Sequence, residues 1–128
     1  MATSRNATDL TERFPRSCRL VQADQFKGVF EHSARFDCNG FLVLARTNEQ
    51  PYARLGLAIS KRRCPRAVDR NKLKRIVRAS FRLNASALPA VDLVVLCTAK
   101  ARLLSNRDLF DGLDRAWRKV IGKTWVES

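Results

Sequence analysis

Residues 61–82, Lys-Arg-Arg-Cys-Pro-Arg-Ala-Val-Asp-Arg-Asn-Lys-Leu-Lys-Arg-Ile-Val-Arg-Ala-Ser-Phe-Arg, set ten Lys or Arg against one acid, Asp69. This stretch alone holds nine of the thirteen net positive charges of the 128-residue chain. Beyond the hinge at Pro65, Leu73, Ile76, Val77 and Ser80 fall on one side of a helical wheel, with Phe81 at the margin. Asn71, Lys74, Arg75, Arg78 and Arg82 fall on the other. The pattern predicts an amphipathic helix whose apolar side is seated on a core and whose cationic side stays at the surface. Arg70, Lys74, Arg78 and Arg82 form an i,i+4 row, in which each like-charged pair costs an isolated helix about 0.2–0.5 kcal/mol. An anionic partner relieves that repulsion. A solvated face is the commoner fate of a charge run, but solvated faces mix signs. Here the only acid is Asp69, at the helix start, where a carboxylate suits the dipole.

The rest of the chain supplies a platform. At 128 residues it has room for one domain with a modest core, and 45% hydrophobic content argues against wholesale disorder. Gly40–Arg46 and Ala53–Ser60 each have the composition of a strand and, joined by a turn-rich link, predict an antiparallel hairpin. In the second, Leu55, Leu57 and Ile59 alternate with Arg54, Gly56, Ala58 and Ser60, so one face is apolar and the other leaves room for a ligand or a helix. Val91–Cys97 is almost wholly apolar, as a central strand buried on both faces is. Helices are expected at residues 23–33, with Phe26, Val29 and Phe30 on one stripe, and at 106–122, with Leu109, Leu113, Ala116, Trp117 and Val120. Ser105 and Asp108 form a capping box that starts the last helix. The expected order is helix, strand, strand, basic helix, strand, helix: an α+β, two-layer sandwich with a small sheet. Residues 1–13 and 123–128 are expected to be loose ends around one domain, residues 14–122.

Self-contained catalysis is not expected. The basic region offers one Asp and no histidine, and the single histidine of the chain, His32, stands beside Glu31 as a surface residue. Cys18, Cys38, Cys64 and Cys97 are scattered without a CxxC pair, which disfavours a zinc site and points to reduced thiols in a cytosol. The first ten residues lack the apolar core of an export signal, and no apolar run approaches a membrane span.

Arg70 to Arg82 resembles the signature helix of the bacterial ribonuclease P protein subunit, R-N-R-x-K-R-x-x-R-E-x-F-R. Further matches follow in the family's order: Phe14-Pro15-Arg16, the Gln25-Phe26 and Val29-Phe30 pairs, Arg54-Leu55-Gly56-Leu57 leading to Ser60-Lys61-Arg62, and Leu88-Pro89 before Asp92-Leu93-Val94-Val95. The resemblance spans about Phe14 to Val120. Within it, Lys72 replaces an arginine and so loses a planar two-point phosphate fork. Ala79 replaces an acid, which leaves the helix more positive. Leu42 and Leu44 stand where the family often carries an aromatic.

The resemblance implies an accessory subunit in removal of the 5′ leader from precursor tRNA, with Mg2+ held by a catalytic RNA subunit and no cofactor on the protein alone. It also implies a sandwich with a left-handed βαβ crossover. Arg70, Asn71, Lys72, Lys74, Arg75 and Arg78 would lie against the RNA subunit, with Arg62, Arg63 and Arg66 extending that surface. The leader would run between the first helix and the sheet, touching Phe26, Phe30, Ser60 and Lys61. For Phe26 and Phe30, core packing is the other meaning of their i,i+4 spacing. A structural RNA-binding protein of ribosomal type fits the charge and size equally well. A DNA-binding helix-turn-helix lacks its companion helix, and a membrane-surface helix lacks the large aromatic set, so neither DNA nor a membrane is expected as partner.

Overall fold

A computed structural model describes residues 33–123 and residue 125. Three strands, β1 (Ala34–Cys38), β2 (Phe41–Thr47) and β3 (Arg54–Ala58), precede helix α1 (Ala67–Asn84). Strand β4 (Val91–Cys97) and helix α2 (Asn106–Gly122) follow. The helix expected at residues 23–33 lies, but for Ser33, outside the described residues.

The four strands form one mixed sheet in the order β1-β2-β4-β3. β4 takes the inner place that its apolar composition predicts, antiparallel to β2 and parallel to β3. The expected hairpin between β2 and β3 therefore does not exist, because β4 lies between them. The strand richest in β-branched and aliphatic side chains gains most from neighbours on both sides. The hairpin partner of β2 is β1, which the sequence pattern did not flag. The pair turns through Asn39–Gly40, with Gly40 at φ 87°, where a Cβ would be strained.

Alternation along the strands separates two faces. Phe41, Val43, Ala45, Leu55, Val91, Leu93 and Val95 point to the side covered by the helices and join Leu73, Ile76, Val77, Phe81, Leu109, Leu113, Ala116, Trp117 and Val120 in one core. Leu44 and Val94 are buried on the opposite face, beside Leu42, Ala58 and Leu96. Phe81, marginal on the wheel, is fully buried and meets Trp117 edge-on, the ring centroids 6.3 Å apart. The indole Nε1 of Trp117 donates to Ser80 Oγ at 2.8 Å, which explains why a hydroxyl sits on the apolar side of α1.

Two polar devices fasten the platform. Asp92, the lone acid of β4, accepts from Arg54 Nε and one terminal nitrogen, both at 2.8 Å, and from Asn48 Nδ2 at 2.8 Å. The contact with Asp92 raises the pKa of the Arg54 guanidinium. Asn48 N also donates to Ala90 O, so the β2–β3 link is tied to the start of β4, not to a hairpin of its own. At the other end Gly112 of α2 presses on the β1–β2 turn: a Cβ there would lie 2.9 Å from Asn39 O. Gly112→Ala is expected to lower stability by about 1–3 kcal/mol, read as a lower urea midpoint, because backbone cannot rotate out of the way. A midpoint at or above that of the unaltered chain would show that α2 and the turn are not so closely apposed.

Candidate nucleic-acid interface

The cationic segment begins where β3 ends. Ser60 Oγ accepts from Arg63 N at 3.2 Å and Ser60 O from Cys64 N at 3.0 Å, which winds Ser60–Cys64 into a single tight turn. That turn places Lys61, Arg62 and Arg63 at the surface and drives the Cys64 side chain inward, where it is 1% exposed. Burial raises the Cys64 pKa despite the neighbouring cations Arg70 and Arg102, and raises that of Cys38 to about 11, so both keep the unreactive thiol form. Cys38, Cys64 and Cys97 are free thiols. The chain then passes through Pro65 and the extended Arg66, which precedes the helix without a side-chain cap, into α1.

Helix α1 buries Leu73, Ile76, Val77, Ser80 and Phe81, the set that the wheel predicts plus its marginal member. Eighteen residues at about 1.5 Å each give a rod about 27 Å long. Asn71, Arg75 and Arg78 are exposed on it, and Arg70, Lys72, Lys74 and Arg82 are half-buried, which their long stems allow while the charged ends stay near water. Arg66 Nε reaches Asp69 at 3.8 Å, but the Arg66 side chain is 74% exposed and such a pair is worth little. Among the described residues, Lys61, Arg62, Arg63, Lys72, Lys74, Arg75, Arg78 and Arg82 make no ion pair. Apart from the Arg66–Asp69 contact, the cations of the segment therefore meet no carboxylate in the described part of this chain.

Arg70 differs from the rest of its row. Its Nη1 donates to Cys64 O at 3.1 Å and to Pro65 O at 2.7 Å, bending back on the loop that precedes the helix. The predicted RNA-facing residues thus lie along one stretch: Arg62 and Arg63 on the turn, Arg66 just ahead of the helix, and Arg70, Asn71, Lys72, Lys74, Arg75 and Arg78 on the helix, with the Arg70 guanidinium turned back onto the loop. Of the residues expected to meet a leader, Ser60 and Lys61 lie at the root of that turn, whereas Phe26 and Phe30 lie outside the described residues. Leu42 and Leu44 belong to the sheet face away from α1 and α2. Sequence reasoning missed the contacts of Arg70 with the carbonyls of Cys64 and Pro65 and the Asp92–Arg54–Asn48 cluster. The signal for the second was an acid within a strand otherwise apolar, which needs a basic partner once buried.

A family model described as Ribonuclease P matches residues 14–121. The chain belongs to the ribonuclease P protein family. It is 45% identical over 108 residues to the ribonuclease P protein component of Chromohalobacter salexigens, covering 84% of each chain. Against that of Aliivibrio fischeri it is 43% identical, over 84% of this chain and 92% of the other. Among solved structures, the Staphylococcus aureus RNase P protein superposes with a TM-score of 0.76 at 26% identity, over 82% of this chain and 98% of that one. The Thermotoga maritima RNase P protein gives 0.71 at 28% identity, over 86% and 98%. The mixed sheet with its helices is thus the α+β fold of RNase P proteins, and the chain is a protein component of an endoribonuclease that processes tRNA. No described helix is long and apolar enough to cross a membrane.

Proposed function

We propose that the cationic face of α1 and the turn before it bind the RNA subunit of ribonuclease P, and that this RNA, holding Mg2+, cuts the precursor while the protein holds RNA and substrate together. The carrying observation is the run of surface cations from Lys61 to Arg82 with no carboxylate in the same segment but Asp69. Each lysine or arginine set against a phosphate releases condensed counterions, and the gain in entropy drives association. Ser60 and Lys61, with Phe26 and Phe30, are assigned to the single-stranded 5′ leader, whose bases stack on aromatics irrespective of sequence. The setting for this work is the cytoplasm, where RNA and precursor meet.

Arg75 and Arg78 are the cleanest probes, being exposed and without a side-chain hydrogen bond to the protein among the described residues. Arg75→Gln with Arg78→Gln is expected to weaken binding to the ribonuclease P RNA and to flatten the log K against log salt plot by about 0.7–0.9 for each phosphate left without its cation. An unchanged slope would take α1 out of the interface. In the reconstituted enzyme at low Mg2+, added protein is expected to speed leader removal, and the double variant to need more protein for the same rate.

A further inference from the structure

Ordering a flexible backbone on binding costs free energy, and a loop bearing four cations, Lys61, Arg62, Arg63 and Arg66, is a poor ligand unless something fixes it first. Arg62, Arg63 and Arg66 sit on such a loop, and besides the first helical bond, from Arg70 N to Arg66 O at 3.0 Å, four hydrogen bonds hold its backbone. Two come from the Ser60 turn, where Arg63 N meets Ser60 Oγ and Cys64 N meets Ser60 O. The other two come from one nitrogen, Arg70 Nη1, on the carbonyls of Cys64 and Pro65. The buried Cys64 side chain pins the middle of the loop to the core. Arg70 is the only member of the i,i+4 row so engaged; Lys74, Arg78 and Arg82 make no side-chain hydrogen bond to the protein among the described residues. Backbone carbonyls accept charge-assisted hydrogen bonds from the guanidinium but carry no formal charge, so the charge of Arg70 is kept while its direction is fixed.

We infer that Arg70 is a positioning residue that clamps the Ser60–Arg66 loop and presents Arg62, Arg63 and Arg66 to RNA in a preset arrangement. The inference rests on the RNA-binding function proposed above, but the clamp itself can be tested on the free protein. The cation belongs to helix α1 and the carbonyls to the loop, so removing the guanidinium uncouples the two without disturbing the buried side of the helix.

The test uses the full-length chain with Arg70→Gln and, as the matched control, Arg78→Gln. In limited trypsin digestion of free protein, cleavage after Lys61, Arg62, Arg63 and Arg66 is expected to accelerate in R70Q and not in R78Q, with thermal midpoints recorded so that global unfolding is recognised. Arg70→Lys, which keeps a donor within reach of the carbonyls, is expected to recover part of the protection and serves if R70Q fails to fold. In titrations with ribonuclease P RNA, R70Q is expected to lose roughly tenfold more affinity than R78Q, as the loop backbone must then be ordered on binding. That excess is expected to shrink when Arg62 and Arg63 are already Gln, but to persist beside R78Q. Equal protection of the loop in R70Q and the unaltered chain, or losses that multiply independently with Arg62 and Arg63, would overturn the clamp. If no form binds the RNA, the proposed function fails, while the digestion pattern still decides the clamp.

Discussion

Asp92→Ala is expected to cost the folded chain about 3–5 kcal/mol, seen as a large fall in its urea or thermal midpoint. The carboxylate is 11% exposed and the guanidinium of Arg54 17%, so neither charge is well hydrated. Removing the acid leaves an arginine without its bidentate partner and Asn48 Nδ2 without its 2.8 Å acceptor. The damage falls where the β2–β3 link joins β4, the parallel seam from which α1 departs. A double replacement, Asp92→Leu with Arg54→Met, is expected to recover most of the loss, since a buried ion pair exchanged for matched apolar groups is often neutral. A loss below about 1 kcal/mol for the single change would show the cluster to be better hydrated than its geometry indicates.

Trp117→Ala is expected to cost a similar amount, about 3–5 kcal/mol, by opening a cavity under α1. The indole is 0% exposed, meets Phe81 edge-on and donates to Ser80 Oγ, so one side chain seats the cationic helix on α2. Ser80→Ala separates the contributions: it leaves the indole N–H unpaired, at about 1–3 kcal/mol, while the ring contacts stay. In both variants the folded fraction is expected to bind RNA with the original salt slope, because no surface cation has been touched. A changed slope in Ser80→Ala would mean that Ser80 positions the phosphate-facing side chains as well as the core.

Helices α1 and α2 and strand β4 were legible because their apolar periodicity is long and burial enforces it. Leu73, Ile76, Val77 and Ser80 are buried as the wheel predicts, and Ser105 Oγ accepts from Asp108 N at 3.1 Å as the capping pattern predicts. β1 was not legible from periodicity: Ala-Arg-Phe-Asp-Cys has one large apolar residue. Its signal was the Asn39–Gly40 pair, a common two-residue turn between strands. Strand pairing is a different matter, since period-2 alternation says which face a residue occupies and not which strand lies beside it. Nothing local announces that β4, which follows β3 only after the whole of α1, separates β2 from β3. At the interface, composition located the cations, but Arg70 is indistinguishable in sequence from the arginines around it. Only the fold shows it turned toward the carbonyls of Cys64 and Pro65.

The seam between β3 and β4 bears on how an RNA must approach. α1 follows β3 through residues 59–66 and leads into β4 through residues 85–90, two strands that lie side by side and run the same way. On the function proposed above, the spacing of the cations on this side is set by the helical rise of about 1.5 Å per residue, so α1 offers phosphates a ruler with fixed divisions.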